Sequence, residues 1–203
     1  VKDLIIPGIA HKKKPALSCA FAVIDFETTG SVAGWPVEPW QVGIVSLENG
    51  RVQPATQFES LLHVGERPFN PMAPGRHAQL RDALKAAPSP QLLWPELATR
   101  LCNCPLVAHN IGTERGVLNK IAPMHNLGPW VDTLKLTRRH YPGLGNKALE
   151  NVVVALNLTE QVQKICPERG AHDALYDAVA CAVLLEHFLN LPGWENVTLG
   201  ALM

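Results

Sequence analysis

The chain holds 203 residues, enough to bury one core and short for two domains. At 47% hydrophobic and 18% charged residues, it is not a disordered segment. Lys plus Arg equals Asp plus Glu at 18 each, which argues against a protein that coats nucleic acid through charge alone, and no apolar run approaches the roughly 20 residues that span a bilayer.

Residues 1–16 read as an N-terminal extension carrying Pro7, Gly8, the basic run Lys12-Lys13-Lys14 and Pro15. Such a run is either a solvated tail or a nucleic-acid contact. The chain opens on Val1, which leaves room for an upstream segment, and no secretory pattern follows. Apolar Leu17–Phe26, partly β-branched, predicts a central strand. Gln41–Leu47 and Val52–Leu61 predict two more, joined by Asn49-Gly50, a strong hairpin signal.

Beyond Pro68, Pro71 and Pro74 the pattern turns helical, with His77–Ala87 and Gln91–Cys102 separated by Pro88 and Pro90. Pro105–Ala108 reads as a short buried strand, Gly112–Ile121 as a helix closed by Pro123, and Trp130–Val131 as another strand. Asp132–His140 is a helix with basic residues in its last turn and Pro142-Gly143 beyond it. Helices over Asn146–Asn157 and Asp173–Leu189 follow, and 191–203 reads as a C-terminal tail. An antiparallel meander followed by alternating strands and helices predicts one α/β domain over 17–190, a mixed sheet with helices packed on it.

The five cysteines are odd in number and scattered, which argues against a disulfide framework. Cys102 and Cys104 have no second pair to complete a zinc site. Reduced core thiols in a cytoplasmic protein fit this usage best.

Asp25 and Glu27 stand two apart on the first strand, so their carboxylates share a face roughly 7 Å apart. Carboxylates at the end of an apolar strand need partners, and hard divalent cations such as Mg²⁺ or Mn²⁺ supply one. A strand running into a polar Thr28-Thr29-Gly30 turn accounts for the same residues. On the last long helix, Asp177 heads a stripe with Cys181, Leu184 and Phe188, while Leu175, Val179, Ala182 and Leu189 make the opposite face apolar too. Such a helix is buried, and Asp177 then needs a cationic partner.

Asp173 suits the N-cap of that helix, which leaves His172 just outside and free to turn towards the same cluster as a general base. A buried salt bridge and a loop histidine are the bland alternatives. Glu114 heads a stripe with Leu118 and Ile121, and His109-Asn110 lies where strand meets helix, holding either substrate groups or the local backbone. Asp132 is read as an N-cap rather than a ligand.

Together these segments resemble the DEDD exonuclease superfamily in its histidine-containing branch, to which the proofreading epsilon subunit of bacterial DNA polymerase III belongs. Asp25-Phe26-Glu27-Thr28-Thr29-Gly30 matches its first motif, and His172-Asp173-Ala174-Leu175-Tyr176-Asp177 its third. His109-Asn110 and Asp132-Thr133-Leu134 match between them, so the likeness runs from about Leu17 to Leu189. Glu114 is a departure, since the family places an aspartate there, and Thr113 replaces a frequent aromatic.

The resemblance implies an RNase H-like fold with a mixed five-stranded sheet flanked by helices. It also implies hydrolysis of nucleotides from a DNA or RNA 3′ end by two Mg²⁺ or Mn²⁺ ions. The expected metal ligands are Asp25, Glu27, Glu114 and Asp177, with His172 as general base. Phe26, Thr28, Thr29, His77, His109 and Asn110 are the expected substrate contacts, His77 because it follows the Pro-rich stretch where the family has a substrate-side histidine. A polymerase or a replication or repair complex is an expected partner. The competing reading is a weak or inactive exonuclease-fold module that binds nucleic acid or a polymerase.

Overall fold

A computed structural model describes residues 12–203. Most of the stretch read as an extension, 1–11, lies outside the described residues. Strand β1 (Ala20–Thr28) sits at the centre of a five-stranded sheet. It pairs antiparallel with β2 (Pro39–Glu48), and β2 pairs with β3 (Arg51–Leu61) through the expected Asn49-Gly50 turn, where both residues adopt positive φ. On the other side β1 runs parallel to β4 (Leu106–Ala108), which runs parallel to β5 (Trp130–Asp132). The order is therefore β3-β2-β1-β4-β5, the mixed five-stranded sheet expected from the sequence.

β1 begins later than its apolar run implied. Pro15 accepts hydrogen bonds from both the backbone N–H and the hydroxyl of Ser18, closing a 3₁₀ turn over Ala16–Ser18 before the strand starts. The strand then continues through Glu27 and Thr28, which keep pairing with β2 as far as a bulge between them.

The helices are α1 (Arg81–Ala86), α2 (Pro90–Leu101), α3 (Gly112–Ile121), α4 (Thr133–His140), α5 (Leu149–Ala155), α6 (Thr159–Ile165), α7 (Ala174–Leu189) and α8 (Leu199–Leu202). The single helix expected over His77–Ala87 is instead a 3₁₀ turn (His77–Gln79) followed by α1, interrupted at Leu80. α6 was not expected, because TEQVQKI carries too few apolar residues to show a helical period; only Val162 in it is buried.

Alternation along β1 sorts its side chains between two layers. Phe21 and Val23 join α7, α5 and the buried Leu199 and Leu202, while Ala22, Ile24 and Phe26 pack with α2 and α3. The tail returns to the body of the fold: Ala16 donates to Val197 O at 2.8 Å, Leu199 donates to Lys14 O at 2.9 Å, and Pro15 bridges Thr198. α7 is buried along nearly its whole length, as its two apolar faces require.

Candidate active site

The two parallel pairings place the carboxyl ends of β1, β4 and β5 along one rim, and the chain switches direction between β2 and β4 across β1. Crevices at such switch points are where open α/β sheets bind ligands. Here the rim holds a cleft of about 450 Å³ lined by Asp25, Phe26, Glu27, Thr28, Gly30, Ala73, Pro74, His109, Asn110, Thr113, Glu114, His172 and Asp177.

Asp25 and Glu27 continue the Phe21–Val23 row of β1 and so face α7. α7 can approach because β2 offers Gly43 opposite Asp25; a Cβ at Gly43 would lie 2.2 Å from the carbonyl oxygen of Ala174. Gln41 completes the docking, donating to Asp173 Oδ2 and accepting from Ala174 N, each at 3.3 Å. Sequence reasoning passed over both residues. A glycine inside an apolar strand was the available signal, since it marks close backbone approach.

Asp173 caps α7 by accepting from Tyr176 N. It also binds Arg76 at 2.8 Å and Arg169 at 2.9 Å, and Arg169 pairs with Glu59 as well. Burial would raise Asp173, yet the hydrogen bonds from Arg169, Gln41 and Tyr176 hold it below the ordinary carboxylate range. These guanidinium groups are thereby engaged by Asp173 rather than by the cleft acids.

Asp177 lies one turn into α7 and accepts a hydrogen bond from the backbone N–H of His172 at 2.9 Å. His172 is exposed, with φ at +65°. Ligand atoms of Glu27, His172 and Asp177 all lie within 4.8 Å of one another. Asp25 and Glu114 line the same cleft, outside that tight trio. Glu114 arrives from the opposite layer, on the first turn of α3, whose Val117, Leu118 and Ile121 pack beneath the other face of the sheet.

Burial, the largest cause at each position, raises all four acids. It pushes Glu27, Glu114 and Asp177 up to about 7, with Asp177 and Asp173 adding to the effect on Glu27, Asp132 to that on Glu114, and Glu150 and Asp173 to that on Asp177. Asp25 is raised well above its ordinary value by burial and then by Glu114, Asp177 and Glu27. Among the described residues no lysine or arginine pairs with any of the four. Glu114 Oε2 is buried without a hydrogen-bond partner. Mutually repelling carboxylates, Glu27 and Glu114 buried and Asp25 and Asp177 half-buried, with an orphaned oxygen are the donor set that a hard divalent cation fits.

The other expected contacts divide. Phe26, Thr28 and Asn110 line the cleft. His109 lines it too, but its ring is engaged at both nitrogens, Nε2 to Lys147 O at 2.8 Å and Nδ1 to Thr133 Oγ1 at 2.9 Å. Since Lys147 O can only accept, Nε2 carries the proton, and burial holds the ring's pKa below its ordinary value. Thr29 is buried in the turn, where its hydroxyl accepts from Glu38 N. His77 is not in the cleft wall; it is buried, stacked on Phe69 at 4.5 Å and set edge-on to Trp40. Asp132 is the N-cap of α4, accepting from Leu134 N and from Asn110 N at 3.0 Å each.

A mixed sheet of this order with acids massed at its switch point is the RNase H-like arrangement of nucleases. The model of the exonuclease family RNase_T matches residues 22–185, and the chain belongs to that family. It is 30% identical over 175 residues to the PolC-type DNA polymerase III of Halalkalibacterium halodurans, a match covering 84% of this chain and 11% of that protein. It is 35% identical over 89 residues to exodeoxyribonuclease 10 of Escherichia coli K12, covering 43% of this chain and 36% of the relative. The chain therefore spans well under half the length of these curated relatives.

Among solved structures, Exonuclease X in complex with 5′-overhanging duplex DNA is similar with a TM-score of 0.67 and 26% identity, covering 90% of this chain and 98% of that one. The nuclease domain of 3′hExo, a DEDDh family member bound to rAMP, shares the fold at a TM-score of 0.64 and 15% identity, covering 89% and 96%. The motifs read from the sequence fit a DEDD 3′–5′ exonuclease, as these similarities do.

Proposed function

We propose that this protein hydrolyses nucleotides from nucleic-acid 3′ ends, with Asp25, Glu27, Glu114 and Asp177 holding two Mg²⁺ or Mn²⁺ ions. The observation that carries this reading is the convergence of four carboxylates from both layers of the fold into one cleft, none countered by a cationic side chain among the described residues. Bound there, divalent ions supply charge neutralisation and Lewis acidity for phosphodiester hydrolysis.

His172 takes the proton of the attacking water. Its ring is open to solvent on one side and within 4.8 Å of the Glu27 and Asp177 carboxylates on the other. Phe26, Thr28 and Asn110 hold the terminal nucleotide against the cleft wall, by contacts that need no base sequence. The duplex DNA in the Exonuclease X complex supports a DNA end as substrate, and the likeness to a PolC-type DNA polymerase III supports work in the company of a polymerase.

Oligonucleotides of DNA and RNA labelled at either end, incubated with Mg²⁺, Mn²⁺ or EDTA, test the reading. Metal-dependent shortening from the 3′ end is expected. Cleavage unaffected by EDTA, or loss of the 5′ label first, contradicts it.

One observation favours a second reading, a module that binds without cutting. Asp25 and Glu114 stand outside the tight trio, and Glu114 is one methylene longer than the family's aspartate. Calorimetric titration with Mn²⁺ beside the same nuclease assay separates the two, because ion binding without cleavage of either nucleic acid supports the module.

A further inference from the structure

The loop between β1 and β2, residues 29–38, projects from the sheet at the end that carries Glu27 and Thr28. Its base is closed by reciprocal bonds between Thr29 and Glu38. At its tip Val32 pairs with Trp35 around Gly34, whose φ of +78° lets the chain turn back. Trp35 is 48% exposed.

This is not a loose loop. Asn70 donates to Ser31 O at 3.0 Å, Arg67 to Pro36 O at 2.8 Å, and Lys120 to Val37 O at 3.2 Å. Arg67 is itself held by Val64 O and Glu38, and its guanidinium lies over the Trp35 ring, 6.0 Å from the centroid. The same segment that pins the loop continues through Met72, 88% exposed, into Ala73 and Pro74 of the cleft wall.

The three bonds fix the loop, so the half-open Trp35 indole is held in one place rather than carried on a mobile tip. An open indole backed by a fixed guanidinium, with a lysine on the adjoining backbone, is the combination that stacks on unpaired bases and tracks their phosphates.

We infer that Trp35, backed by Arg67, is a stacking platform for an unpaired base upstream of the scissile nucleotide. This rests on the nucleic-acid reading above. Trp35 makes no contact with the reacting atoms; it holds the strand so that its end reaches the acids.

The test measures anisotropy of a fluorescent single-stranded oligodeoxynucleotide, its last linkages phosphorothioate, bound to the full chain in Mg²⁺. Trp35→Ala is expected to bind roughly tenfold more weakly and Trp35→Phe to stay near wild type, because a ring is what stacks. Oligonucleotides with one abasic site at successive positions then locate the stacked base. At one position the missing base should cost wild type about what Trp35→Ala costs, and cost Trp35→Ala nothing more.

Wild-type affinity in a folded Trp35→Ala overturns the inference, as do abasic sites that penalise both proteins equally at every position. If wild type neither binds nor shortens any oligonucleotide, the nucleic-acid reading falls and this inference with it. If wild type does both and Trp35→Ala matches it, only the platform falls.

Discussion

The Oδ2 atom of Asp177 accepts the backbone N–H of His172 at 2.9 Å, so a cleft carboxylate also holds the left-handed turn that presents the histidine. The two functions separate by substitution. Asp177→Asn keeps an acceptor for the turn but removes the charge, whereas Asp177→Ala removes both. Asp177→Asn is expected to melt close to wild type while losing most activity, and Asp177→Ala to lose activity with a lower Tm. Thermal melts beside the end-labelled assay check this, and retained turnover in Asp177→Asn contradicts the role as ligand.

His172 is exposed and contributes little burial, so His172→Ala is expected to leave Tm nearly unchanged. Loss of a general base lowers kcat by about 10²–10⁴-fold. A kcat within a few-fold of wild type removes His172 from the chemistry.

Metal-free stability should depend on pH in an unusual direction. Burial raises Glu27, Glu114 and Asp177 to about 7, above their ordinary values near 4. Between those limits the folded chain keeps protons that the unfolded chain has released, so stability falls as pH rises from about 4.5 to 7. Divalent cations take the place of those protons. Mg²⁺ or Mn²⁺ is therefore expected to raise Tm more at pH 8 than at pH 5. Calorimetric scans in EDTA and in metal across that range decide it; a metal-induced shift that does not grow with pH goes against it.

Gly43 tests the docking of α7. A Cβ there would stand 2.2 Å from Ala174 O and 2.3 Å from Leu175 N, both backbone atoms that cannot swing aside. Gly43→Ala is expected to destabilise by about 1–3 kcal/mol or more and to lower activity by shifting Asp177. Gly116, in α3 with nothing near its absent Cβ, is the control. Gly116→Ala is expected to stabilise by up to about 1 kcal/mol. Denaturant titrations of the two variants make the comparison.

Much of the site could be read from the chain because its signals are local. Strand alternation puts Asp25 and Glu27 on one face whatever else the protein does. The Asn49-Gly50 turn and the apolar faces of α7 likewise follow from neighbouring residues. Asp132 and Asp173 take the N-cap positions that their spacing before an apolar run implies.

Other features depended on residues far apart in sequence. His77 stands beside a Pro-rich stretch like a surface residue, and only its stacking on Phe69 and its edge-on contact with Trp40 make it part of the core. α6 is too short and polar to display a period. Residues 14–16 and 197–199 each carry little signal, and their pairing is visible only when they meet.

By itself the sequence determined which residues carry charge and which strand and helix ends they occupy, because backbone periodicity and capping act over a few residues. Tertiary structure alone decided that Glu114 comes round the rim from one layer to join three acids of the other, that Asp173 draws off Arg76 and Arg169, and that Trp35 stays half open against Arg67. Burial and the field of distant charges are sums over the whole packed molecule, so no window of the chain contains them.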